Sequence, residues 1–205
     1  RSYPLDEIID WVLTSAQQAA KDYHIIARYI ISFNRHESFD LAARVTELAV
    51  QNRDRGIVAI NLAGNEADFP AAPFQQIFNY ARQNGLELTI HAGEWNNAAN
   101  ISEAILEYHA ARIGHGIHVF DDPELVSLAR ERQTPFEVCL TSNLQTGAIK
   151  DIKQHPILKM LAAGLNVTLN TDDPSISGIT LSDEFKLAYN LLGISLNNLV
   201  NITLA

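Results

Sequence analysis

The sequence predicts an α/β fold in which parallel strands alternate with helices, either as a doubly wound sheet or as a (β/α)8 barrel. Three observations predict it. Short runs rich in Ile, Val, Leu and Thr recur about every 28 residues, the length of a strand, a helix and two short loops. Several of these runs are almost continuously apolar, as expected of strands covered on both faces. Between them lie stretches with apolar residues at helical spacing, opened by Pro and closed by Gly.

In order, the candidate strands are 24–33 (HIIARYIISF), 57–63 (IVAINLA), 86–91 (LELTIH), 112–116 (RIGHG), 135–141 (PFEVCLT) and 165–170 (LNVTLN). Helical faces follow at Phe74, Ile77, Phe78 and Ala81, at Leu125, Leu128 and Ala129, and at Phe185, Ala188, Tyr189 and Leu192. Asp122-Pro123 and His155-Pro156 place Pro where a first helical turn accepts it, and Gly56, Gly85 and Gly164 stand where helices should end. The tail from Ile194 to Ala205 reads as the start of another helix. No G-x-G-x-x-G follows any strand, which removes the usual dinucleotide fingerprint. Six units are visible where a barrel has eight in typically ~250 residues.

Composition restricts the function classes. The chain has 205 residues, 47% hydrophobic and 19% charged, as in an ordinary soluble domain. A net charge of −9 argues against a nucleic-acid partner, which needs basic patches. Cys139 is the single cysteine, which fits a reducing, cytoplasmic compartment. No apolar run approaches the ~18–20 residues of a membrane span, and no basic-then-apolar start suggests a signal peptide.

The polar residues collect just after the strands: Gly64-Asn65-Glu66, His91-Ala92-Gly93-Glu94, His115-Gly116, Thr141-Ser142-Asn143 and Thr171-Asp172-Asp173-Pro174. Strand C-terminal ends form the active-site rim in both architectures. Taken singly, each has a plain structural reading. His91 and Glu94 could be a buried histidine and a solvated glutamate, although Ala92-Gly93 leaves room for a ligand. His115 between Gly114 and Gly116 could mark only a bend. His118, at a helix-like offset from His115, is expected to point elsewhere. One aspartate of Asp172-Asp173-Pro174 could be a helix cap. Two adjacent carboxylates at a rim, however, call for a cation or a donor to stabilise them.

As an ordered series, Leu62-Ala63-Gly64-Asn65-Glu66, His91-Ala92-Gly93-Glu94, Arg112-Ile113-Gly114-His115-Gly116, Glu137-Val138-Cys139, Thr141-Ser142-Asn143 with Gln145-Thr146-Gly147, and Asn170-Thr171-Asp172-Asp173-Pro174 resemble the motifs of adenosine deaminases. The resemblance implies a (β/α)8 TIM barrel of the amidohydrolase type with about six of its eight units in this chain. Residues 1–205 would be a single domain, truncated at both ends. It implies zinc-dependent hydrolysis of adenosine or deoxyadenosine to inosine or deoxyinosine plus ammonia, a step of purine salvage. His91 and Asp172 would be ligands of one Zn2+ per subunit. Glu94 would give a proton to the purine nitrogen beside the attacked carbon. His115 would orient the attacking water and assist its deprotonation. Gly64 would offer its backbone N–H to the purine, and Asp173 would accept a hydrogen bond from it. The partner implied is a small purine nucleoside, with no nucleic acid and no membrane; oligomeric state is left open.

Two departures stand out. Leu140 occupies a position that is proline in many relatives, with a change expected only in the local loop. The His-x-His pair of the family's first strand occurs nowhere in the 205 residues. On the resemblance, these residues alone are expected to bind zinc weakly and to turn over adenosine poorly. A non-catalytic nucleoside-binding remnant is the alternative of a different class. An adenine deaminase is the nearest rival, but Gly114 before His115 favours the nucleoside enzymes; adenine-specific relatives tend to carry an acidic residue there.

Overall fold

The computed structural model describes residues 3–204; Arg1, Ser2 and Ala205, which the expected domain 1–205 includes, lie outside the described residues. Among the described residues, six strands alternate with helices, as expected of an α/β chain. The chain divides into two compact units, Arg1–Thr89 and Ile90–Ala205.

The first unit contains α1 (Leu5–Asp22), β1 (Tyr29–Asn34), α2 (Phe39–Gln51), β2 (Ile57–Ala63) and α3 (Gln75–Gln83). Ser38 caps α2, its side chain accepting the Leu41 N–H. β1 and β2 pair in parallel from Tyr29↔Ile57 to Asn34↔Ala63. Phe33, Ile60, Leu62 and Phe78 are buried here, with Phe33 and Phe74 in ring contact at 5.4 Å. Arg55 fastens α1 from below, reaching Asp10 Oδ1 at 2.8 Å and Thr14 Oγ1 at 2.9 Å. The strand expected from His24 begins only at Tyr29. His24 takes a left-handed φ of 54° just after α1, and Ile25 and Ile26 are exposed, so the apolar run there is a linker.

β3 (Glu87–Ala92) leads into the second unit, which continues with α4 (Ala98–Leu106), β4 (Arg112–His115), α5 (Pro123–Arg132), β5 (Phe136–Val138), α6 (Leu140–Gln145), α7 (Ile157–Ala162), β6 (Val167–Leu169), α8 (Pro174–Ser177), α9 (Leu181–Asn190) and α10 (Leu196–Leu204). β4 pairs with β5 and β5 with β6, again in parallel and in chain order. Ile101, Ile113, Phe136, Leu140 and Met160 form its interior. Asp122 caps α5 as expected, with Pro123 at the first helical position.

The expected strand 135–141 stops at Val138. The Leu140 and Thr141 N–H groups bond the buried carboxylate of Glu184 at 2.9 and 3.2 Å, which opens a helix where a strand would have continued. Leu140 therefore does more than adjust a loop: it is the first residue of α6 and donates a backbone hydrogen bond that proline could not. Among the described residues, no helix is long and apolar enough to cross a membrane.

Candidate active site

The strand ends of the second unit converge on one cluster. His91 is the fifth residue of β3, His115 ends β4, and Asp172 follows β6. Each of the three offers a ligand atom, and these atoms lie within 4.8 Å of one another. The His91 and His115 rings meet edge-on, 4.8 Å apart. A cavity of about 320 Å3 opens here, lined by His91, Gly114, His115, Glu137, Cys139 and Asp172.

Glycine makes this approach possible. A Cβ at Gly114 would lie 2.7 Å from His91 Nδ1, so the imidazole rests directly on the backbone of β4. At Gly116, φ is +66° and a Cβ would run into the Phe136 ring. His115 and Asp172 take φ of 63° and 58°, left-handed conformations that side chains other than glycine rarely adopt. Such strain persists where the surroundings hold it, and it clusters at functional sites.

Hydrogen bonds then orient the acidic and basic groups. His115 is 1% exposed, and its Nε2 lies 3.4 Å from Glu94 Oε2 and 3.9 Å from Asp172 Oδ2. Glu94 is also buried, and its Oε1 accepts from Asn143 Nδ2 at 3.3 Å and Thr146 Oγ1 at 3.4 Å. Ser142 Oγ donates to Asp172 Oδ2 at 2.7 Å. Asn143 Nδ2 also sits 3.1 Å from His115 Nδ1, and Asn143 Oδ1 sits 3.2 Å from His155 Nε2.

Burial, the nearby His155 and a partly opposing bond from Asn143 bring the His115 pKa down to about 4. Burial alone does the same for His155. Burial also pushes the Glu137 carboxyl up, against the opposing pull of Arg112, and pushes the Cys139 thiol well up, aided by neighbouring carboxylates.

The His155 shift has a consequence for stability. An unfolded histidine titrates near 6.5, so between about pH 6.5 and 4 the unfolded chain binds the proton that the folded chain refuses. Stability is therefore highest above that window and falls as pH drops through it, by about 3 kcal/mol for this group alone. Urea midpoints at pH 7 and pH 5 should show the decline, and a His155→Gln variant should remove about half of it, because His115 carries the same shift.

The structure thus brings His91, Glu94, His115 and Asp172 together. Asp173 is exposed at the N-cap position of α8 and makes no side-chain capping bond, so the plain capping role does not account for its carboxylate. Gly64 follows β2 in the first unit with φ +93°, close to Asn34. His118 is turned away to Asp121, 2.9 Å off, as its offset suggested. Sequence reasoning missed two residues. Glu184, fully buried, anchors the helix that carries Ser142 and Asn143. His155, read only as helix punctuation, is buried against Asn143. The His91 imidazole and the Asp172 carboxylate fit a zinc-type site, since both match that ion's preferred ligand atoms.

Known proteins share both sequence and shape with this chain. An adenosine deaminase of Klebsiella pneumoniae (strain 342) is 39% identical over 193 residues, 94% of this chain and 57% of that protein. The adenosine deaminase of Enterococcus faecalis is 38% identical, covering 90% of this chain and 55% of its own length. The chain therefore spans little more than half the length of these relatives. Among solved structures, an amidohydrolase from Burkholderia ambifaria with bound zinc superimposes at a TM-score of 0.91 and 30% identity, over 98% of this chain and 57% of that one. An adenine deaminase from Arthrobacter aurescens gives 0.90 and 30%, over 97% and 61%. These likenesses place the fold among the TIM-barrel amidohydrolases. The family model for adenosine deaminase matches residues 1–204, and with that span, these identities and the motif-bearing strand ends in agreement, the chain belongs to the adenosine deaminase family.

Proposed function

We propose that this chain forms part of a zinc-dependent enzyme that hydrolyses adenosine and deoxyadenosine to the corresponding inosines and ammonia. The observation that carries the reading is the cluster in which Glu94 and Asp172 face one edge of the buried His115, beside His91. The unbroken family match over residues 1–204 supports treating them as one catalytic domain. A small purine nucleoside as partner and a cytoplasmic setting belong to the same reading, the latter resting on the single buried thiol.

His91 and Asp172 would hold the ion, with Ser142 fixing the carboxylate through its 2.7 Å bond. Zinc, when bound, supplies Lewis acidity that brings the pKa of a coordinated water towards ~7. The chain's own groups do the rest. Hydrolysis adds water across the C=N bond of the purine ring, after which the exocyclic nitrogen leaves as ammonia. Glu94 gives the ring nitrogen its proton, which makes the adjacent carbon electrophilic. His115 orients the attacking water on one face of the ring. Gly64 offers its N–H to the purine and Asp173 accepts a hydrogen bond from it.

The test is ammonia release from adenosine, deoxyadenosine and adenine under matched conditions. Adenosine and deoxyadenosine are expected to be turned over and adenine poorly; a preference for adenine would replace the nucleoside reading with that of the Arthrobacter neighbour. Zinc binding offers a second check. Gly114→Ala drives a methyl group into His91 Nδ1 and should weaken zinc affinity about 10–100-fold, the usual effect of disturbing a ligand's support. Competition with a chromogenic chelator reads this directly, and unchanged affinity would remove His91 from the metal site.

A further inference from the structure

The hydrogen bonds behind His115 run in one direction only. The anchor is a backbone group whose polarity is beyond choice: the Ile157 N–H donates to His155 Nδ1 at 3.1 Å. His155 Nδ1 is therefore an acceptor, and the proton of the neutral ring is on Nε2. That Nε2–H faces Asn143 Oδ1 at 3.2 Å, which fixes the amide with its oxygen towards His155. The amide nitrogen must then face the other way, where it donates to Glu94 Oε1 at 3.3 Å and to His115 Nδ1 at 3.1 Å. A flipped amide would press oxygen against the Glu94 carboxylate and oppose two donors at His155, so both ends of the chain select the same orientation.

We propose that Asn143 and His155 are positioning residues that hold His115 in its Nε2–H tautomer, so that it meets the substrate site as a hydrogen-bond donor. Both rings accept a hydrogen bond at Nδ1, His155 from the Ile157 N–H and His115 from the Asn143 amide, so each carries a single proton, on Nε2. Two consequences follow. His115 Nε2 has no lone pair for an ion, which separates it from His91 and Asp172 although all three converge. With Nε2 already protonated, His115 has no lone pair there to take the water's proton, which leaves that task to the Glu94 carboxylate, 3.4 Å from that Nε2. One carboxylate then suffices for the addition. It takes the proton as the C–O bond forms and passes it to the ring nitrogen, while the C=N π electrons move onto that nitrogen. This catalytic consequence rests on the proposed deaminase reading; the tautomer does not.

Long-range proton–nitrogen correlation spectra of the ¹⁵N-labelled protein at neutral pH report which imidazole nitrogen carries hydrogen. His115 and His155 are both expected to show Nε2–H. An Nδ1–H pattern at His115 overturns the proposal. His155→Phe removes the donor that sets the amide and should give a mixed His115 tautomer, whereas His155→Gln retains a donor and should restore the Nε2–H form. Asn143→Asp puts an acceptor opposite His115 Nδ1 and should move the proton there. Unchanged His115 signals in both His155→Phe and Asn143→Asp count against the relay. For adenosine turnover, His155→Phe is expected to lower kcat at least about tenfold with KM little changed, and His155→Gln to recover most of it. Should no purine be deaminated while the spectra hold, the functional reading fails and the relay stands.

Discussion

Replacing Glu94 by glutamine is expected to lower kcat for adenosine by about 10²–10⁴, the usual contribution of a positioned acid–base group. The substitution is close to isosteric, so packing is not what it removes. Glu94 is buried, and Asn143 and Thr146 both donate to its Oε1. A glutamine oxygen would stay with those donors, which turns the amide NH2 towards His115 Nε2, 3.4 Å away in the parent. That arrangement loses the carrier of the proton and sets one donor against another. Because the purine keeps its other contacts, KM should move by only a few-fold. Steady-state kinetics at saturating adenosine, with a thermal melt to show that the fold is intact, decide the matter. A kcat within tenfold of the parent leaves Glu94 without its assigned task.

How far the sequence could be read depended on whether the information was local. The strand 57–63 is legible to the residue, since its apolar run, the preceding Gly56 and the polar Gly64-Asn65-Glu66 coincide with both ends of β2. The convergence of His91, His115 and Asp172 was legible as well, because parallel strands put their C-terminal ends on one rim. Two apolar runs misled. Residues 25–27 are apolar without being strand, because the chain there leaves α1 through a left-handed residue, His24. Residues 140 and 141 open a helix because their N–H groups find a carboxylate 43 or 44 residues further on. Glu184 escaped for the same reason, and so did the contact of His155 with Asn143, 12 residues earlier. A local signal did exist for Glu184. It stands four residues before Ala188, on the buried stripe of α9, where an unexplained charge implies a partner.

Removing that charge should produce the largest loss of stability outside the hydrophobic core. Glu184 is fully buried, and a capping box formed by Thr180 and Asp183 fixes the start of the helix that carries it. Glu184→Ala leaves the Leu140 and Thr141 N–H groups buried without their acceptor, at about 1–3 kcal/mol each. With the small cavity added, the total is roughly 3–7 kcal/mol, or about 10–20 °C in Tm for a chain of this size. Activity should fall too, because α6 presents Ser142 to Asp172 and Asn143 to His115.

Leu140→Pro separates the cap from general disruption. Proline is tolerated at a first helical position, and Cys139 before it is already extended, so the backbone accepts the change. The substitution takes away one of the two donors that Glu184 serves. In the Leu140→Pro background, Glu184→Ala therefore has one fewer N–H to orphan and should cost about 1–2 kcal/mol less than it does in the parent. Urea denaturation of the four proteins closes the cycle. Strictly additive losses would mean that the Leu140–Glu184 bond contributes nothing of its own; coupling of the stated sign would show that a carboxylate on α9 sets the register of the helix that aims Ser142 and Asn143 at the site.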